Sequence, residues 1–163
     1  MQSMPISSSS TGDERLRRLE EVIIAEIPLS ARMGVSVAAL TNAGLRLSMP
    51  LELNRNPHQT AFAGSLNALC TLAGWGMAHL LLAEHDLEGQ TVLRRSSIKY
   101  REPVESPRET ATCGPPPPGD LDHFLAMLRS KEQAKLELGV QIAGADADRP
   151  AVLFGGSYVV SRA

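Results

Sequence analysis

Residues 61–83 form a run of 23 positions without a formal charge. A stretch this apolar must be covered by something, and that need constrains the fold more than any other feature of the chain. The run is long enough to span a bilayer. It also carries Ser65, Asn67, Thr71, His79 and three glycines, Gly64, Gly74 and Gly76. Polar groups at mid-bilayer are expensive, so the pattern predicts a helix from about Phe62 to Glu84 buried inside a protein that does not enter the membrane. Small or apolar side chains surround this helix, so other structure should wrap most of it, with Trp75 largely buried.

The flanking segments supply the cover. Leu45, Leu47, Met49, Leu51 and Leu53 alternate with Arg46, Ser48, Pro50 and Glu52, the period of a half-buried strand. Together with the apolar residues 34–40 and a turn at 41–44 this predicts a hairpin, with Pro50 at an edge or bulge. Four further strands follow the central helix. Residues 91–102 put Val92, Ile98 and Tyr100 on one side and Arg95, Lys99 and Arg101 on the other. Residues 108–113 make a shorter strand, and Ala134, Leu136, Leu138, Val140 and Ile142 alternate in a long one. The last strand carries Val152, Phe154, Tyr158 and Val160, with Gly155-Gly156 reading as a bulge. A proline-rich connector over 114–119 leads to a short helix capped by Asp120, whose apolar face is Leu121, Phe124, Leu125 and Leu128. An amphipathic first helix opens on the capping-box pattern Thr11–Glu14 and stops near Ile27, before Pro28. This order is α+β, with a mainly antiparallel sheet curled around one long central helix.

A chain of 163 residues fits one domain, here a short disordered leader over 1–12 followed by a single domain over 13–163. The N-terminal residues MQSMPISSSS lack the basic start and apolar core of a secretory signal. With 18 acidic and 16 basic side chains the net charge is −2, and aromatics make up only 4%, which argues against a nucleic-acid partner. Cys70 and Cys113 lie far apart, with no CxxC pair and no metal-ligand spacing. That argues against a disulfide scaffold and a zinc site, with no metal expected, and suits two reduced thiols in a cytoplasmic protein.

The densest polar cluster is Asn54, Asn56, His58, Gln59 and Thr60, just before Phe62-Ala63-Gly64-Ser65. A loop entering a helix presents unpaired N–H groups at the positive end of the dipole, which suits a carbonyl oxygen becoming an oxyanion. Gly64 allows close approach, and the N–H groups of Gly64 and Ser65 are the candidate donors. The same residue types also serve as ordinary caps and turn formers. Asn67, Thr71 and Gly74 share one helical stripe, suited either to lining a cleft or to close helix packing at a dimer contact. Ser65 has no His–Asp partner set, which disfavours a serine nucleophile. His79, His85 and His123 sit at unrelated spacings, as structural or surface residues. Arg94, Arg95, Lys99 and Arg101 form the most basic stretch, either a solvated outer face or a contact for phosphates.

The block N-x-N-P-H-Q-T-A-F-A-G-S-L, followed by L-C-T-L-A-G-W-G, resembles the YiiD-type thioesterase domains of the hot-dog superfamily, and the likeness extends from about Ile27 to Val160. It takes in Ile98-Lys99-Tyr100-Arg101-Glu102-Pro103-Val104 and Phe154-Gly155-Gly156-Ser157-Tyr158-Val159 as well. Gln59 stands where the family pattern has glycine. The resemblance implies a hot-dog fold and a homodimer, or a dimer of dimers, with the active site between protomers. It implies an acyl-CoA or acyl-carrier-protein thioester as substrate, with coenzyme A present only as part of it and no separate cofactor.

Many hot-dog thioesterases carry a carboxylate on or near the central helix, and residues 53–83 hold none. Glu84 lies about 30 Å from Gly64 at about 1.5 Å per residue. The base is then His58, which titrates near neutral pH, a carboxylate from elsewhere or from the partner protomer, or absent. Around the docked carbonyl, Asn54, Asn56, Thr60, Phe62, Asn67 and Thr71 are the candidate substrate-binding residues. A hydrolase, a hot-dog module that binds an acyl carrier without cleaving it, and a dimeric interaction domain all remain open from sequence.

Overall fold

The computed structural model describes residues 9–146 and 148–163. Its elements are α1 (Ser9–Glu26), α2 (Pro28–Met33), β1 (Ser36–Thr41), β2 (Gly44–Pro50), a 3-10 turn (Leu51–Leu53), α3 (Ala63–Glu84), β3 (Gly89–Tyr100), β4 (Arg108–Cys113), α4 (Pro118–Lys131), β5 (Gln133–Ala143) and β6 (Pro150–Arg162). The six strands make one sheet in the order β1-β2-β4-β5-β6-β3, antiparallel at every pairing. The fold is α+β and hot-dog-like, a curled sheet with α3 lying across its inner face.

The sheet earns this arrangement through its alternation. Along β5 the burial strictly alternates, with Ala134, Leu136, Leu138, Val140 and Ile142 all buried. Leu45, Leu47 and Met49 of β2 are completely buried, as are Tyr158 and Val160 of β6. Tyr158 meets α3 directly. Its hydroxyl donates to the Thr71 carbonyl at 2.8 Å, and a Cβ on Gly74 would collide with its ring and oxygen. Gly74 is thus spent on close packing of helix against sheet. Gly76 plays a similar part toward Leu45 of β2 and Leu19 of α1, whose side chains its Cβ would meet at 3.0 and 3.4 Å.

Several local expectations change. Helix α1 begins at Ser9, so Thr11 lies inside it and makes no capping box; Glu14 instead pairs with Arg17 at 2.7 Å and Arg18 at 3.1 Å. Residues 1–8 of the expected leader lie outside the described residues. Pro28 does not only stop α1: it opens α2, which closes on Gly34 in the left-handed conformation (φ 69°). The alternation of β2 ends at Pro50, where the chain tightens into the 3-10 turn and leaves Leu53 exposed. Gly155-Gly156 pair in unbroken register with both neighbours; register shifts instead in β3 at Arg94, between Leu93 and Arg95, in β1 between Val37 and Ala39, and in the β5–β6 pairing between Ile142 and Ala143. The bulge at Arg94 explains the irregular burial of β3, where Val92 is exposed. Asp120 falls within the first turn of α4, and Pro117 holds the cap position. Trp75 is half-buried rather than sealed in the core, with Nε1 donating to the Thr91 carbonyl at 3.2 Å.

Helix α3 passes the length and hydropathy test for a membrane span, yet 67% of its most apolar window is buried within the fold. Cys70 and Cys113 are free and fully buried, and desolvation pushes both thiols up to about 12. They are inert packing groups.

One inward-facing residue of β4 breaks the apolar pattern. Glu109, the register partner of Met49, is 2% exposed, and its Oε1 is buried with no hydrogen-bond partner among the described residues. Desolvation raises its pKa from the ordinary 4.5 to about 7. A raised acid stabilises the fold fully below its unfolded pKa and ceases to do so as pH rises through its folded one. Stability should therefore fall between about pH 4.5 and 7, by up to about 3 kcal/mol at about 1.4 kcal/mol per unit. Glu109→Met should raise Tm, with a gain that grows across this range and levels off above it. A gain independent of pH in thermal melts would contradict the assignment.

Candidate functional site

The polar loop before α3 is built by its own side chains. Asn56 Oδ1 accepts the N–H groups of His58 and Thr60 at 2.9 and 3.2 Å, and its Nδ2 donates to Thr60 Oγ1 at 2.7 Å. Both amide protons of Asn54 are used, on the carbonyls of Met33 and Pro50, each at 2.8 Å, so this buried side chain ties α2 to β2. Gln59 has a φ of 65°, the left-handed region in which glycine is free of strain. This is the physical reason a glycine suits that position, and Arg55 Nη1 donating to Gln59 Oε1 at 2.9 Å helps hold the residue there.

The loop delivers the chain to α3 with Phe62 at the cap position, whose side chain makes no capping hydrogen bond. The Phe62 N–H donates to the Asn54 carbonyl at 2.7 Å, and Leu66 is the first amide to bond back into the turn, to the Phe62 carbonyl at 3.0 Å. Helix geometry therefore leaves the N–H groups of Ala63, Gly64 and Ser65 free at the positive end of a 22-residue helix. Tyr100, at the end of β3, braces this turn through its hydroxyl, which donates to the Ala63 carbonyl at 2.9 Å.

Beside this helix start opens a cleft of about 440 Å³. One wall is the partly exposed stripe of α3, made by Gly64, Asn67, Ala68, Thr71 and Trp75. The α1–α2 hinge forms the second wall through Ile27, Leu29 and Met33, and Leu93 and Ser96 of β3 form the third. Leu29 is 60% exposed and Phe62 53% exposed, so large apolar side chains stand open near the cleft. Among the described residues, the cleft lining includes no Asp, Glu, His, Lys, Arg or Cys.

The candidate residues separate into groups. Gly64, Asn67 and Thr71 come together on the cleft wall, and Ser65 follows Gly64 in the first turn, half-buried. Phe62 lies against Gly64, where a Cβ would run into its ring. Asn54, Asn56 and Thr60 shape the loop that feeds the helix and are outside the cleft lining, as is the exposed His58. Sequence reasoning missed the α2 wall, although Pro28 and Gly34 bracket it as start and stop signals. It also missed Trp75 as a cleft residue, although it lies four and eight positions after Thr71 and Asn67.

Comparison with known proteins bears on this arrangement. Residues 16–162 match the family described as "Putative thioesterase (yiiD_Cterm)". The chain belongs to that family. It is similar to a "putative thioesterase" from Shewanella oneidensis, with 32% identity, a TM-score of 0.77 and coverage of 93% of this chain and 99% of that one. A protein of unknown function from Chlorobaculum tepidum TLS has 29% identity and a TM-score of 0.88, over 93% of this chain and 97% of that one. A thioesterase from Haemophilus influenzae shares the fold at 14% identity, with a TM-score of 0.63 and 90% coverage of both chains.

Trp75 is the only tryptophan of this family member and lies in the cleft wall. A medium-chain fatty acid entering the cleft should dry the indole and shift its emission to shorter wavelength. Ala68→Phe, which fills the cleft, should abolish the shift. An unchanged shift in that variant would place the binding elsewhere.

Proposed function

We propose that this chain hydrolyses acyl thioesters, carried on coenzyme A or on an acyl carrier protein, at the cleft beside the start of α3. The observation that carries this reading is an apolar cleft ending at unpaired helix N–H groups, within a thioesterase family. The acyl chain lies between the α2 wall and Trp75. The carbonyl oxygen points to the N–H groups of Gly64 and Ser65, which stabilise the charge that develops as water attacks. Asn67 and Thr71 orient the water. Its oxygen adds to the carbonyl carbon as a base takes its proton, the C–S bond breaks to leave the acid, and the departing thiolate takes that proton from the base and leaves as the free thiol.

The base must come from outside the cleft wall. His58 is the titratable group nearest in sequence to the helix start, and the other sources are a carboxylate from elsewhere in the chain or from a second protomer. A homodimer fits this need. Strand β3 is a 12-residue sheet edge with Val92 and Tyr100 exposed, and an edge of that length calls for pairing. Two free buried thiols agree with a cytoplasmic setting. A second reading, binding an acyl carrier without cleaving it, draws support from the absence of Asp, Glu, His, Lys, Arg and Cys from the cleft lining among the described residues.

Thiol release from acyl-CoAs of graded chain length, with binding measured in parallel, separates the two. Turnover supports the hydrolase, binding alone supports the carrier-binding module, and the absence of both turnover and binding would end both readings and leave the dimeric interaction domain. Gly64→Val should abolish turnover while the sedimentation profile remains that of a dimer. If His58 is the base, His58→Ala should cost on the order of 10²–10⁴-fold in kcat. A rate within a few fold of the parent leaves His58 structural and shifts the search to a carboxylate from elsewhere or from the partner protomer.

A further inference from the structure

The outer face of the sheet carries two glycines that nothing among the described residues requires. Gly139 of β5 pairs with Gly155 of β6, which pairs in turn with Ser97 of β3, and all three are exposed. A Cβ at Gly139 would meet nothing within 4 Å, and one at Gly155 would meet only the Ser97 hydroxyl, at 3.9 Å. Neither glycine has a positive φ. Mid-strand glycine weakens a sheet, and where packing and backbone do not demand it, it marks close approach by a ligand or another backbone.

The adjacent row across the same strands is Glu137, Ser157 and Arg95. Ser157 points to the outer face, between exposed Gly155 and half-buried Val159, yet is only 4% exposed. It lies in a hollow of about 390 Å³ walled by Arg94, Arg95 and Lys135. The β3 bulge is what brings Arg94 to this rim as an additional cation. Glu137 is held by Lys135 at 3.1 Å and by the Ser157 hydroxyl, which donates to it at 2.9 Å. Three cations and one carboxylate leave a local charge of +2 on a chain whose net charge is −2. A second copy stacked here across a two-fold axis would set like charges together, whereas an anion is complementary. Edge pairing through β3 would leave this outer face open.

We propose that the outer sheet face binds a phosphorylated nucleoside, with a phosphate in the Arg94–Arg95–Lys135 hollow and the flat base over the Gly139–Gly155 floor. The nucleotide end of coenzyme A has this chemistry, and that source rests on the thioesterase reading. A free nucleotide would use the same contacts.

Calorimetric titration with adenosine 3′,5′-bisphosphate, coenzyme A and pantetheine tests the proposal without requiring turnover. Both phosphate-bearing probes should bind, and Arg95→Gln should weaken each at least 10-fold while pantetheine is unaffected. Gly155→Leu, whose side chain would stand over the floor, should do the same with an unchanged circular dichroism spectrum. A matching rise in acyl-CoA KM in Arg95→Gln assigns the phosphate to the substrate. Loss of bisphosphate binding with KM unchanged, or in a protein that releases no thiol, upholds the site with a free nucleotide as its ligand. Bisphosphate binding no tighter than adenosine, or equal binding by parent and Arg95→Gln, would overturn the proposal.

Discussion

A 22-residue helix with no formal charge before its last residue must be covered, and the contact that fixes its cover is Tyr158 against Gly74. The ring fits because residue 74 has no side chain, and the hydroxyl is satisfied by the Thr71 carbonyl. Burial raises the pKa of the phenol, so it remains a neutral donor at ordinary pH. This contact sets the height of α3 above β6. The strict alternation of β5 and the buried leucines of β2 then continue the inner face outward from it. Leu19 and Ile23 of α1, both 1% exposed, cover the helix from another side.

The cleft follows from what this cover omits. Sheet and α1 leave a stripe of α3 from Gly64 through Thr71 to Trp75 only partly enclosed, and the short helix α2 stands opposite. Apolar surface on three sides meets unpaired helix amides at one end, so a ligand with a long apolar part and a polar carbonyl matches the space. The loop from Asn54 to Thr60 contributes through rigidity. Asn56 satisfies two backbone amides within the loop, and Asn54 anchors the loop's start to α2 and β2. The first turn of α3 is therefore held in place before any ligand arrives.

The architecture was legible because it rests on periodicity. The charge-free run, the alternation of β2 and β5 and the turn residues defined the six strands and the central helix. Features that depend on single residues were harder to read. Leu51 and Leu53 continue the alternation of β2 in sequence, but Pro50 ends the strand before them. Gly155-Gly156 resembles a bulge because glycine is common in bulges, while the β3 bulge at Arg94 has no glycine to mark it. Helix α2 is six residues long, too short for a periodic signal, and it provides one wall of the cleft. The polar residues of the loop were visible, but their division into cleft-lining and loop-building groups depends on hydrogen bonds that only the folded chain defines. Nothing in the sequence of the short strand over 108–113 marks Glu109 as the residue that its register turns inward.

The most direct test of this account is a crystal structure of the protein with a non-hydrolysable acyl-CoA analogue in which the thioester sulfur is replaced by methylene. The account predicts the analogue's carbonyl oxygen within about 3 Å of the Gly64 or Ser65 nitrogen, the reach of an N–H···O bond, and its acyl chain between Leu29 and Trp75. An acyl chain bound elsewhere, with this cleft empty, would contradict it.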